Sequence, residues 1–153
     1  MNLEDRVELA FNEFSERSTT QRQEIANRIL AFGKSGESFT AEMLLSQLRK
    51  KYPGIGRATV FRVMDNLYRI SLLDRIDFAD GERRYSLCNR EGHHHHLACN
   101  VCHKIVEIDL CLPSNDIERI GEAKGFKIDN HEIPLFGECN RCRKRQGKGK
   151  SHP

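Results

Sequence analysis

The chain has 153 residues, a formal net charge of +3, six cysteines and seven histidines. That length folds as one domain or as two small ones, and two small ones have thin cores that a metal or a partner chain helps to hold. No apolar run is long enough to span a bilayer and MNLEDRVELAFNEF lacks the layout of a signal peptide, so the chain reads as soluble and cytoplasmic, a setting in which cysteines are metal ligands more often than disulfides.

In chain order, residues 4–14 place Val7, Ala10, Phe11 and Phe14 on one helical face. A second helix starts near Thr20, which with Gln23 resembles a capping box; Ile25, Ile29 and Phe32 form its stripe and Gly33 ends it. A third helix starts near Thr40, buries Ala41, Leu44, Leu45 and Leu48, and stops before Pro53-Gly54. The fourth, RATVFRVMDNLYRI, follows Gly56, with Val60, Val63, Met64 and Leu67 as its apolar stripe. Two alternating segments, LLDRIDF and RRYSLC, are joined through Ala79-Asp80-Gly81-Glu82 and predict a hairpin.

Helices followed by a short antiparallel hairpin predict a winged helix-turn-helix whose last helix enters the major groove of DNA. Thr59, Arg62, Asn66 and Arg69 share the face of that helix opposite the stripe. Arg62 is placed to reach base edges, and Arg57 and Thr59 are further DNA-contact candidates. An Arg/Asn/Thr face is by itself only a solvated helix face; the short turns before it and the hairpin after it favour DNA. The mildly basic charge permits that partner without arguing for it.

The second half carries metal chemistry. Cys99-x-x-Cys102 and Cys139-x-x-Cys142 are separated by 36 intervening residues. Each pair offers two thiolates from one tight turn, and two pairs complete the closed tetrahedral set that structural zinc prefers. Between the hairpin and the first pair lies HHHHLAC. If it is extended, His94 and His96 point one way and His93 and His95 the other, so one run can serve two sites. His94 and His96 need more ligands, and the hairpin offers Asp74 and Cys88. A carboxylate, a thiolate and two neutral imidazoles balance Zn2+, and the thiolate favours zinc over Fe(II).

ATVFRV, HHHHLACNVC, KIVEID and NHEIPLFGECNRC together resemble the ferric uptake regulator (Fur) family of bacterial metal-sensing repressors, from about Arg17 to Cys142. The resemblance implies an α+β homodimer. A winged helix-turn-helix over 1–88 would be joined by a hinge at 89–92 to a small α/β dimerisation and metal-binding domain over 93–146. A basic tail, expected to be disordered, occupies 147–153. Cys99, Cys102, Cys139 and Cys142 match the family's structural zinc ligands, and His94 and His96 its regulatory ligands. His93, His95 and His131 match a third site. Phe61 and Arg62 match its base-contacting pair, and Arg17 a residue that reaches the minor groove.

The chain departs from the family pattern at several positions. Ser38 stands where iron sensors place a histidine and Ser86 where they place an acidic residue, whereas Asp74 and Cys88 sit where the zinc uptake regulator (Zur) branch places its ligands. Phe61 replaces a tyrosine and His103 a glycine. The third site's acidic ligand aligns near Ser114, leaving Glu107, Asp109 or Asp116 as substitutes. Cys111 reads as a packed thiol at a strand end. The expected function is a zinc-dependent repressor of zinc uptake genes, bound to a palindromic AT-rich operator. The alternatives are an iron or peroxide sensor holding Fe(II), or a zinc-binding adaptor module. An enzyme is not expected: there is no HExxH motif, and four-ligand sites leave no position for water.

Overall fold

The computed structural model describes residues 2–13, 20–88 and 92–147. The chain divides into two compact units, Met1–Glu91 and Gly92–Pro153.

The N-terminal unit contains α1 (Leu3–Glu13), α2 (Thr20–Ser35), α3 (Ala41–Arg49), α4 (Arg57–Arg69), β1 (Leu73–Asp77) and β2 (Arg83–Leu87). Its core takes one stripe from every helix: Val7, Ile29, Leu44, Leu48, Met64 and Leu67 are fully buried. Thr40 caps α3, its hydroxyl accepting the Met43 N–H at 3.0 Å. At α2 two expectations change. Gln23 turns toward Asn27 (3.5 Å) rather than back to Thr20. Gly33 lies inside the helix, and the chain turns at Gly36, whose φ is +67°. Gly33 is a contact residue instead: a Cβ there would come within 2.5 Å of the Leu87 side chain.

β1 and β2 pair antiparallel from Leu73↔Leu87 to Asp77↔Arg83. The turn uses Gly81 at φ +85°, and the Asp80 carboxylate accepts the Glu82 N–H at 2.9 Å. Phe39 adds a third edge by exchanging backbone hydrogen bonds of 2.9 and 2.8 Å with Tyr85. Helices α2 to α4 with this hairpin are a winged helix.

The C-terminal unit is a three-stranded sheet, β4 (Ile105–Ile108), β3 (His95–Cys99) and β5 (Pro134–Gly137), with α5 (Ser114–Lys124) crossing between β4 and β5. β3 pairs antiparallel with β4 and parallel with β5. A last helix, α6 (Asn140–Gly147), was not read from the sequence, and its final residue overlaps the tail expected over 147–153. RCRKRQ has no apolar stripe to announce a helix; Cys142, 3% exposed, anchors it. Residues 148–153 lie outside the described part.

Candidate metal centres

The four-cysteine cluster is assembled from two turns. Cys99 ends β3 and Cys102 follows in the turn; Cys139 precedes α6 and Cys142 lies in its first turn. All four sulfurs lie within 4.8 Å of one another. Cys102 and Cys139 are 3.8 Å apart, which is about the edge of a tetrahedron built on ~2.3 Å zinc–sulfur bonds. His103, in place of a glycine, takes a left-handed φ of +57° to close the first turn.

The thiols are electrostatically unequal. Burial raises the Cys99 pKa, but the N–H groups of Cys139, Cys102 and Val101 outweigh it and hold this thiol below its ordinary value. Cys142 moves the other way, pushed up by burial and by the other three sulfurs. Neighbouring N–H groups and burial thus pull the thiols in opposite directions, and a divalent cation bound there would stabilise all four as thiolates. Arg141 faces the site: the Cys102 sulfur raises its pKa further.

The histidine run separates onto two faces. His94 and His96 have ring centroids 5.0 Å apart. His94 Nδ1 donates to the Gly92 carbonyl at 3.0 Å, leaving Nε2 as the lone-pair nitrogen. Glu107 pairs with His96 across the β3–β4 ladder, and its carboxylate lies within 4.8 Å of the His94 ligand atom. Glu107 thus joins the His94/His96 face and not the third cluster, where the sequence had left it as one substitute. Only the strand register reveals this.

On the other face, His93 Nε2 lies 3.1 Å from His95 Nε2 and 3.0 Å from His131 Nε2. Among the described residues, the fourth group brought to these three is Cys111, not Asp109, Ser114 or Asp116. Cys111 is exposed, not packed.

In the N-terminal unit, Asp74 lies opposite Ser86. Cys88, two residues past Ser86, returns to the same face diagonally from Asp74. Their ligand atoms lie within 4.8 Å of each other. Cys88 is 1% exposed, and its N–H donates to the Leu72 carbonyl at 3.0 Å. Ser38, where a histidine was noted as missing, is buried, and its carbonyl accepts from Arg84 at 3.1 Å.

The outer face of α4 forms a shallow hollow lined by Thr59, Arg62, Val63 and Asn66, together with Phe11 and Arg22 of the preceding helices. Arg22 was not singled out from sequence, because nothing local tells which α2 cation lies beside α4. Arg57 pairs with Glu42 at 2.6 Å and lies over the Phe61 ring at 5.0 Å. Arg17 lies outside the described residues.

A winged helix, followed by a unit that gathers four thiols in one set and three imidazoles with a thiol in another, defines a metal-dependent, DNA-binding transcription regulator. The chain belongs to the ferric uptake regulator family, whose family model matches residues 13–136. The ferric uptake regulation protein of Bacillus subtilis (strain 168) is 34% identical over 142 residues, covering 90% of this chain and 93% of that protein. Among solved structures, a zinc uptake regulator complexed with zinc and DNA superposes with a TM-score of 0.69 at 21% identity over 95% of each chain. The Helicobacter pylori ferric uptake regulator, described as having three functional metal binding sites, does so at 0.60 and 22%, over 92% of this chain and 91% of that one. At those identities the two structures show the fold alone. Members of the family are transcription regulators and not enzymes. No helix among the described residues is long and apolar enough to cross a membrane.

Proposed function

We propose that this regulator senses zinc and represses zinc uptake genes, as a homodimer on a palindromic, AT-rich operator. Cys88 carries the reading. A buried thiol beside the Asp74 carboxylate is a soft ligand held next to a hard one, and thiolate selects zinc over Fe(II). Asp74 and Cys88, with His94 and His96, are the proposed regulatory ligands; Cys99, Cys102, Cys139 and Cys142 are the proposed structural zinc ligands. Asp74 and Cys88 belong to the DNA-binding unit, and His94, just before β3, and His96, within it, to the other, across the proposed hinge at 89–92. Bound by all four, zinc would supply one charge centre shared by both units. The ligands would then restrict the orientation of α4, and in a dimer that orientation sets the spacing of two recognition helices on a two-fold site. Arg62, Thr59 and Phe61, with Arg57 and Arg17 beside them, are the proposed DNA contacts.

The dimer reading rests on an uncovered row. Val106, Leu97 and Leu135 are cross-strand neighbours on β4, β3 and β5, and all three are exposed. A sheet face that is apolar across all its strands is a surface a second copy would cover.

The test is DNA retention at two buffered free-zinc levels and with Fe(II) alone. Wild type should hold specific fragments only at the higher zinc level. Cys88→Ser should lose that response while keeping the zinc held by the four cysteines. A Cys88→Ser protein with full zinc-dependent binding removes Cys88 from the set. Fe(II) is the second reading, favoured by the Glu107 carboxylate beside His94, which offers a hard oxygen ligand. Retention of DNA with Fe(II) alone would establish it.

A further inference from the structure

We infer that Cys111 is the fourth ligand of the His93/His95/His131 cluster and makes it a soft, thiolate-bearing site that takes Zn2+ in preference to Fe2+ or Mn2+. The inference rests on the assignment of those three histidines as a metal site, and adds the group that decides which metal enters. Cys111 Sγ lies 3.2 Å from His131 Nε2, and the four ligand atoms lie within 4.8 Å of one another.

The contacts within the cluster cannot all be good hydrogen bonds. His93 Nε2 has a single position, lone pair or hydrogen, yet two other Nε2 atoms lie 3.0 and 3.1 Å away. One of those contacts is formed at the expense of the other. A cation would replace that competition with one partner shared by the donor atoms. Tetrahedral zinc would set N···N separations of about 3.3 Å and N···S separations of about 3.6 Å. The contacts at 3.0, 3.1 and 3.2 Å would each lengthen by a few tenths of an ångström to reach those values. His95 would have to move its ring proton to bind through Nε2, because its Nδ1 accepts the Ile133 N–H at 3.2 Å and the ring proton then sits on Nε2.

The donor set decides the metal. Three imidazoles and one thiolate hold no oxygen, so the hard cations that favour carboxylates have nothing to prefer here. Placement adds a structural consequence. Cys111 lies in the segment entering α5, His131 in the segment leaving it, and His93 and His95 at the start of β3. One ion would fasten both connections of the crossover helix to the central strand.

The experiment uses the full chain, with Zn2+ counted against buffered free metal and Co2+ as the spectroscopic probe. It reads stoichiometry and ligand-to-metal charge transfer, not DNA retention, so it is independent of the regulatory metal. Cys88→Ser, Cys111→Ser, Cys111→Asp and His131→Ala are compared. Cys111→Ser and His131→Ala should each lose one Zn2+ equivalent, with affinity falling by more than the 10–100-fold typical of losing an outer-shell partner. Cys111→Ser should also lose one thiolate's share of the charge-transfer absorption. Cys111→Asp should keep the equivalent but gain Mn2+ binding. If Cys111→Ser keeps wild-type stoichiometry and spectrum while His131→Ala loses an equivalent, the histidines form a site without the thiol and the inference fails. If neither variant loses metal, the three-histidine assignment fails with it. A deficit in Cys88→Ser concerns the regulatory set alone.

Discussion

At the scale of single residues, what a side chain does here depends on what its neighbours allow it to ionise. Glu24 shows this away from any metal. It lies on α2, buried, and accepts hydrogen bonds from Arg28 Nε (2.9 Å) and Lys51 Nζ (3.0 Å). The Lys51 bond is the largest influence holding its carboxyl below the ordinary glutamate value, ahead of the opposing effect of burial. A folded-state pKa below the unfolded one contributes stability that is complete above pH 4.5 and lost as pH falls through the lowered value. Both cations are more than a third exposed, so solvent screening keeps the contribution to about 1 kcal/mol. Glu24→Gln should lower the urea midpoint at pH 7 and flatten its decline below pH 4.5; superimposable curves for the two proteins would refute this.

Secondary-structure elements are placed by small contacts that no periodicity reports. Gly33 is the instance in the N-terminal unit. The alternation of α2 made it a plausible helix end, since glycine commonly ends helices. In the fold it lies in the last turn of α2, where it lets β2 approach through Leu87, and the turn falls to Gly36. Gly33→Ala should gain helix propensity, about 1 kcal/mol, but meet Leu87 at overlap distance and lose roughly 1–3 kcal/mol, for a net destabilisation. The same substitution in a Leu87→Ala background should be neutral or stabilising. Chemical denaturation of the four proteins of that cycle checks it, and an unchanged penalty in the background would show that Leu87 is not the cause. The stripes of α3 and α4 were legible because each lies on one face over consecutive turns. α6 was not, because its burial hangs on one cysteine.

For the whole molecule, the uncovered Val106–Leu97–Leu135 row is the feature a single chain leaves unresolved. Leu97→Glu places a charge at its centre. It should give monomers at concentrations where wild type is dimeric, and should lose DNA retention while keeping the zinc proposed for the four cysteines. Sedimentation and metal content measure both; a dimeric Leu97→Glu protein would place the interface elsewhere.

The division between what the chain shows as a string and what needs its fold follows from range. Helix stripes, the Asp80-Gly81 turn and the two CxxC turns are local, so spacing alone announced four helices, a wing and the convergence of four cysteines. Alternation likewise divided the histidine run between two faces, because side-chain direction in a strand is fixed by the residue before. What stands beside each face is not local. Glu107 reaches His94 through the β3–β4 register, and Cys111 reaches His131 because α5 returns the chain to the same edge. Those partners are separated by 13 and 20 positions, and no period in the sequence encodes the closure of a loop. The division of the histidines into two groups was therefore visible in the residues themselves, and the tertiary structure decided which carboxylate and which thiol stand beside each group.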